Sequence, residues 1–422
     1  MLDIHFIKEN KEKIKEVIKN RFIEGTDVGK VLELDKSRRK LIQEVELLNS
    51  QRKEAADKKD IERGRELKER HRKKELELAK IEVEYREEMY KIPNIVLDDV
   101  PVGDEKANKV LKKVGEIPKF GFTPRDHVEI GKSLDMIDIP RATKVSGSRF
   151  YYLKNDAVLL ELALTQYVMD TLVKEGFTPV LPPVLIKKQI TDGLGYWQAG
   201  GNENFYLISD FEIGGSEKGE PLPLYLIGTG EHAVVPMHLD EVLEAGELPK
   251  RYIALSANFR REAGSYGKDT HGILRVHQFD KLEMVSFVEP RDGGKELEKL
   301  LSLAENFVRA LELPYRLVQL ASSELSFPAA TTIDIETWIP SQNKYRETHS
   351  ISTTTDFQSR RLNIKYKKGN SAKCVHILNA TAIAMPRIII AILENHQQKD
   401  GSIKLPKVLH EYLGKDTIQR HK

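Results

Sequence analysis

The chain has 422 residues, enough for two or three domains, and a hydrophobic share of 40% allows a sizeable core. Charged residues make up 31%, yet the net charge is only +2, so a nucleic-acid site has to be a local patch and not a global polycation. A single cysteine, Cys374, excludes intrachain disulfides and cysteine-based zinc clusters and fits a reducing, cytoplasmic setting.

The opening run MLDIHFIKENKEKIK is charged and amphipathic and lacks the apolar core of a signal peptide. From Val31 apolar residues recur at helical spacing: Val31, Leu34, Leu41, Val45, Leu48 and Ala55, with Arg38 and Arg52 interrupting the seam. A second run holds Leu67, Leu78, Ile81, Tyr85 and Met89, and Pro93 stops it. Residues 56–64, polar and charged, read as the tip between the two. Narrow seams on two helices predict an antiparallel coiled-coil hairpin over about residues 30–92. Each arm reaches roughly 40 Å at about 1.5 Å per residue. Lysines and arginines outnumber acids near the tip, among them Arg52, Lys53, Lys58, Lys59, Arg63 and Lys68. Such a run reads either as a solvated coiled-coil face or as a phosphate-binding arm that gains affinity by releasing counterions.

Residues 94–124 are punctuated by proline and glycine and read as a linker and docking segment. Beyond them strand-like and helical runs alternate irregularly. Helices are predicted over 158–175, 296–311 and 386–395. Strands are predicted over 178–183, 224–227, 253–261, 275–285, 315–320 and 333–339. This pattern predicts an α+β chain: an N-terminal domain over 1–110 carrying the hairpin, then a domain over 111–422 built on a mostly antiparallel sheet flanked by helices. The apolar run near 388–393 is too short to span a bilayer, so no membrane role is expected. Neither a Walker-type GxxxxGK[S/T] loop nor a GxGxxG after a strand is present, so any use of ATP needs a different scaffold.

Chemistry concentrates between Phe259 and Met284. Phe259, Arg260, Arg261 and Glu262 end one predicted strand. A loop with Gly264, Gly267 and Gly272 follows, carrying Lys268 and Asp269, and Arg275 to Met284 form the return strand. Guanidinium groups grip phosphates bidentately and an aromatic face such as Phe279 can stack a purine. Taken alone, an arginine-rich hairpin also reads as a surface element laced with weak ion pairs.

The complete string FRREAGSYGKDTHGILRVHQFDKLEM resembles the second signature motif of class II aminoacyl-tRNA synthetases, a strand–loop–strand opening on FRxE, in the form that seryl-tRNA synthetases of bacterial type give it. The rest of the chain is similar to the same family: MLDIHFIKEN at the start, KVSGSRFYYL at 144–153, and GFTPVLPP at 176–183 as the first motif. Tyr345-Arg346-Glu347 and TDFQSRR at 355–361 match a later signature. Leu378-Asn379-Ala380-Thr381 through Arg387 to Asn395 resembles the third motif.

The resemblance implies a serine–tRNA ligase using ATP and Mg²⁺, with L-serine and tRNA(Ser) as substrates; the family also serylates selenocysteine tRNA, tRNA(Sec), in organisms that have it. It implies that Arg260 and Arg387 are catalytic, Arg260 on the α-phosphate and serine carboxylate, Arg387 on the γ-phosphate. Serine binding is expected from Thr229, Glu231, Arg260, Glu283, Asn379 and Thr381. ATP binding is expected from Arg260, Arg261, Glu262, Arg275, Val276, His277, Gln278, Phe279, Glu347, Thr348, His349, Ser350 and Arg387, with Glu347 and Ser350 as the Mg²⁺ pair. A homodimer is implied, with the coiled coil gripping the long variable arm of the tRNA and the loop 264–272 reaching its acceptor end. Departures from the family pattern are Gly230, Arg261, Thr348-His349 and Met385-Pro386. Two rivals stay open: a paralogue that loads a carrier protein, which usually lacks the arm, and a silent RNA-binding relative, which would lack the phosphate arginines.

Overall fold

The computed structural model describes residues 1–196, 203–208, 223–263, 269 and 271–420, and the chain divides into two units, Met1–Ile95 and Val96–Lys422. In the first, two short helices, α1 (Ile4–Glu9) and α2 (Lys11–Asn20), precede the long α3 (Val28–Asp57) and α4 (Ile61–Tyr90). Asp27 caps α3 by accepting from the Gly29 amide at 2.7 Å, and Asp60 caps α4 by accepting from the Arg63 amide at 3.0 Å. The turn between them is tighter than residues 56–64 suggest. Lys59 adopts a φ of 56°, and the Asp60 amide reaches back to the Ala55 carbonyl at 2.9 Å, closing α3 with the left-handed turn usually given to glycine.

The two long helices run antiparallel: Lys30 meets Glu84 and Glu88, and Lys74 meets Glu44. Val31, Leu34, Leu48, Ala55, Leu67 and Met89 are buried along the seam, as the periodicity predicts. His71 joins them, and Arg38, which interrupts the apolar pattern, lies over the Tyr85 ring at 4.9 Å.

The second unit is organised by an eight-stranded sheet. Its strands in chain order are β1 (Lys109–Val114), β2 (Thr178–Val180), β3 (Lys250–Phe259), β4 (Gln278–Val288), β5 (Tyr315–Gln319), β6 (Thr331–Ile339), β7 (Lys344–Thr355) and β8 (His376–Ala384). They lie in the order β1-β5-β6-β7-β8-β4-β3-β2, antiparallel throughout except where β2 runs parallel to β3. Two expectations change here. Residues 96–110 belong to this unit: the Leu97 amide donates to the Ala330 carbonyl, and Val100 packs with Leu325 and Ala329. Within the supposed linker, β1 forms a lysine-rich edge, a composition that blunts strand addition.

Residues alternate between the two faces of each strand. On β3 and β4, Ile253, Leu282 and Met284 face a core shared with the helices α5 (Asp156–Lys174), α6 (Gly293–Ala310) and α7 (Met385–Asn395), while Tyr252, Ala254, Val285 and Phe287 face a second core. Helix α7 is buried over almost its whole length, with Pro386 in its first turn, where a missing N–H costs nothing. Helix α5 buries Leu160, Leu164, Val168 and Leu172 but leaves Val158, Leu159, Leu162 and Val173 exposed.

Candidate functional site

On the second-core face of the sheet, β4, β7 and β8 open onto a cavity of about 430 Å³, a size that suits a small ligand. A smaller cleft continues from it toward the start of α7. Period-two geometry selects which side chains reach this space. Phe279, Lys281 and Glu283 share one face of β4, and Asn379 and Thr381 share one face of β8.

Strand β7 needs one more device, because Glu347 and Ser350 stand three residues apart and would point to opposite faces of a regular strand. The pairing with β6 slips between Ile335 and Glu336, leaving Thr348 as an extra residue. This bulge brings Glu347 and Ser350 onto the same cavity wall. A second slip, between Leu282 and Glu283 of β4, leaves Ala382 of β8 as the extra residue beside Thr381.

Thr229, Glu231, Arg260, Glu262, Arg275, Lys281, Glu283, Glu347, Ser350, Asn379 and Thr381 line the larger cavity. Arg260, Glu262, Arg275, Val276, Phe279, Lys281, Glu347, Thr348, Thr381 and Arg387 line the cleft. Most of the charges are matched. Arg275 pairs with Glu262 at 2.7 Å, Arg387 with Glu347 at 3.0 Å, and Lys281 with Glu283. Among the described residues, Arg260 forms no carboxylate pair. Its Nε donates to the Gly228 carbonyl at 3.0 Å and its guanidinium lies 5.3 Å from the Phe279 ring centroid. It is the cation held ready where the cavity and the cleft meet.

Burial shapes the titration of these groups. Glu231 accepts from the Tyr196 hydroxyl at 2.9 Å and from the Gln358 amide at 2.8 Å, yet burial pushes its carboxyl up to about 7, with the nearby Glu283 charge adding to the effect. Burial lowers the Lys281 ammonium, and the Glu283 carboxylate works against that. At Glu347 the crowding pocket walls oppose ionisation, but the Arg387 guanidinium outweighs them and holds the carboxyl low. His232, beneath the cavity, is driven down to about 3 by burial and then by Arg260, so it stays neutral and accepts from the Gly228 amide at 3.2 Å.

Other polar atoms lack partners in ways that suit a polar ligand. Thr229 Oγ1 and Asn379 Nδ2 are buried without a hydrogen bond among the described residues, which a bound hydroxyl, amine or carboxylate would supply. Glu347 and Ser350 offer oxygen donors on one wall, the donor type that Mg²⁺ takes together with phosphate and water oxygens. No group of three or more His, Cys, Asp or Glu capable of holding a metal occurs among the described residues.

Several residues expected at the nucleotide line neither the cavity nor the cleft. Arg261 is exposed and lines neither space; its amide donates to the Asn204 carbonyl at 3.0 Å. His277 braces the backbone instead, its ring bonding the Arg260 carbonyl at 2.8 Å. Gln278 is exposed and lines a separate groove with Tyr151 and Glu161. His349 is buried on the opposite side of the bulge, bonded to Thr348 Oγ1 at 2.9 Å, and burial pushes it down to about 4. In the loop expected to reach tRNA, Asp269 pairs with Arg346, while residues 264–268 and 270 lie outside the described residues. Gly230 has a local reason: a Cβ there would stand 3.0 Å from the Ala254 Cβ and 3.2 Å from Ser256 Oγ.

Sequence reasoning missed Tyr196, Gln358 and Lys281. Tyr196 carries no signal of its own. Gln358 sits inside the TDFQSRR string, and Lys281 is two residues before Glu283 on a strand, the spacing that places both on one face.

Residues 1–96 match the model of the seryl-tRNA synthetase N-terminal domain, and residues 216–396 match that of the class II tRNA synthetase core domain for G, H, P, S and T. The serine–tRNA ligase of Dictyoglomus thermophilum is 41% identical over 100% of both chains, and that of Acidothermus cellulolyticus 39% identical over 99% of both. The crystal structure of seryl-tRNA synthetase from Pyrococcus horikoshii complexed with ATP superposes with a TM-score of 0.89 at 35% identity, covering 100% of each chain. The cytoplasmic serine–tRNA ligase of Naegleria fowleri in complex with AMP gives 0.87 at 33%, covering 100% of this chain and 99% of that one.

Proposed function

The chain belongs to the seryl-tRNA synthetase family and is a serine–tRNA ligase, and from that premise we propose how its residues divide the work. The observation that carries the reading is Arg260, which forms no carboxylate pair among the described residues and stands where a polar cavity meets the cleft. Serine occupies the cavity. Thr229, Glu231 and Glu283 receive its amino end and hydroxyl, with Asn379 and Thr381 completing the small polar wall. ATP occupies the cleft, its adenine against Phe279 and its phosphates between Arg260, Arg275 and Arg387.

Arg260 aligns the serine carboxylate with the α-phosphorus and stabilises the charge that grows there during in-line attack. The carboxylate oxygen forms a bond to phosphorus as the bond to pyrophosphate breaks. Arg387, anchored on Glu347 and the first turn of α7, takes the charge of the departing pyrophosphate. Glu347 and Ser350 would hold Mg²⁺, which when bound neutralises phosphate charge. In the second step the terminal ribose hydroxyl of the tRNA attacks the seryl carbonyl and AMP leaves. No protein nucleophile is needed; positioning and charge neutralisation supply the rate.

The basic coiled-coil tip grips the variable arm of tRNA(Ser) through its phosphates. The exposed apolar stripe on α5, where Leu162 is 60% exposed, together with Leu181 after β2, 79% exposed, forms a homodimer interface. No helix among the described residues is long and apolar enough to cross a membrane, and the cytoplasm is the setting in which we place the enzyme. Serylation of tRNA(Sec) follows wherever the host has that tRNA. The test is pyrophosphate exchange with serine, alanine and glycine, followed by charging of tRNA. Exchange with serine alone is expected, and a stronger signal with alanine or glycine would overturn the pocket assignment.

A further inference from the structure

Lys281 is a cation of the site that the roles above leave unused. It leaves β4 on the same face as Glu283, and both side chains are almost fully buried, 7% and 2% exposed, while paired to each other. A buried ion pair of this kind is a poor source of stability, because desolvation offsets most of the attraction. Its position is informative. Glu283 lines only the larger cavity, whereas Lys281 lines both the cavity and the nucleotide cleft, as Arg260 does. The lysine therefore holds, from one side of a shared wall, a carboxylate that serine has to reach from the other.

Two electrostatic facts bear on what serine does when it arrives. Glu231 and Glu283 are close enough to feel each other's charge, so an ammonium between them meets both. The same ammonium comes next to the Lys281 ammonium in a space with little water, where like charges repel strongly. A lysine on a flexible four-carbon stem can move its charge, and the other anion its position serves is a phosphate in the cleft.

We infer that Lys281 is a cation gated by the amino acid: serine takes its place on Glu283, and the freed ammonium turns to the α-phosphate of ATP beside Arg260. This rests on the reading of Glu283 as a serine ligand. It makes serine and ATP bind cooperatively, and linkage requires the effect to be reciprocal. It also explains why the pair is kept in a ligand cavity despite its cost in desolvation. Without serine, Lys281 stays paired with Glu283; with serine, it becomes the second cation at the reacting phosphorus.

The measurement is the dissociation constant of a non-hydrolysable ATP analogue, α,β-methylene ATP, by calorimetry on the full chain with and without saturating serine. In the wild type serine should tighten the analogue about tenfold, equivalent to about 1.4 kcal/mol of coupling. Lys281→Met should bring the ratio to one or below, and Lys281→Arg should restore part of it. A purely structural lysine would change both affinities and leave their ratio alone. A wild-type ratio of one overturns the inference whether or not the variants fold, and so does an undiminished ratio in a folded Lys281→Met protein. Glu283→Gln separates the two layers: unchanged serine affinity in that variant removes the serine assignment itself, whereas weakened serine binding with an intact Lys281 ratio removes only the gating.

Discussion

The arm and the catalytic sheet solve opposite problems. The arm has a thin interior, a seam of single residues such as Val31, Leu48, Ala55 and Leu67, and most of its lysines and arginines lie on the outside, where they keep their water. The sheet has two cores, and the charged groups of its cavity are inside, where Glu231, Lys281 and Glu283 are held almost without solvent. Exposed charges act through number and long-range attraction, and are weakened by salt. Buried charges act one at a time, and their strength depends on a partner and on distance. A single substitution should therefore be severe in the sheet and mild in the arm.

Arg260→Ala gives the largest effect of any point substitution, a loss of exchange of roughly 10²–10³-fold, because it deletes a contact that strengthens in the transition state. Near-normal exchange would break the comparison at its strongest point. Leu162→Glu on α5 should turn a dimer into a monomer by light scattering, since a charge at the centre of an apolar interface has no partner; an unchanged mass would place the interface elsewhere.

A pH profile sharpens the contrast further. Glu231 is neutral below about 7 and ionised above it, and only the ionised form attracts the serine ammonium. Serine kcat/KM should fall by about tenfold per pH unit below that value, and Glu231→Gln should remove this limb. The sign is opposite for the fold: the raised carboxyl favours folding at acid pH, and that contribution is lost as pH rises through about 7. The smallest effect belongs to the arm. Leu48→Ala should cost about 2–4 kcal/mol locally, raise the KM for tRNA several-fold and leave exchange untouched; a fall in exchange would show that the seam supports more than the arm.

The two regions were also unequally legible. Helical spacing of apolar residues marks both long helices, whereas the acidic caps that begin them, Asp27 and Asp60, emerge only in the structure. Polar sequence misled only at the tip, where a lysine takes the left-handed turn. In the sheet, β7 went unpredicted although it spans Lys344–Thr355, because KYRETHSISTTT has no apolar alternation. One of its faces lines the ligand cavity, so that face is polar by need. The bulge at Thr348 is equally invisible in composition, yet it decides that Glu347 and Ser350 share a wall and that His349 does not. Arg261 shows the limit of adjacency: next to Arg260 in sequence, it emerges on the solvent side. The family strings converge on one cavity and its adjoining cleft, and strand geometry decides which members of each string line them.

The division of labour is tested most directly by removing residues 35–88, closing the gap with a short turn, and measuring exchange and tRNA charging on the same preparation. Serine-dependent exchange should persist within a few-fold of the complete chain while charging of tRNA(Ser) is lost. Equal loss of both activities would mean that the arm supports the catalytic sheet instead of serving the tRNA.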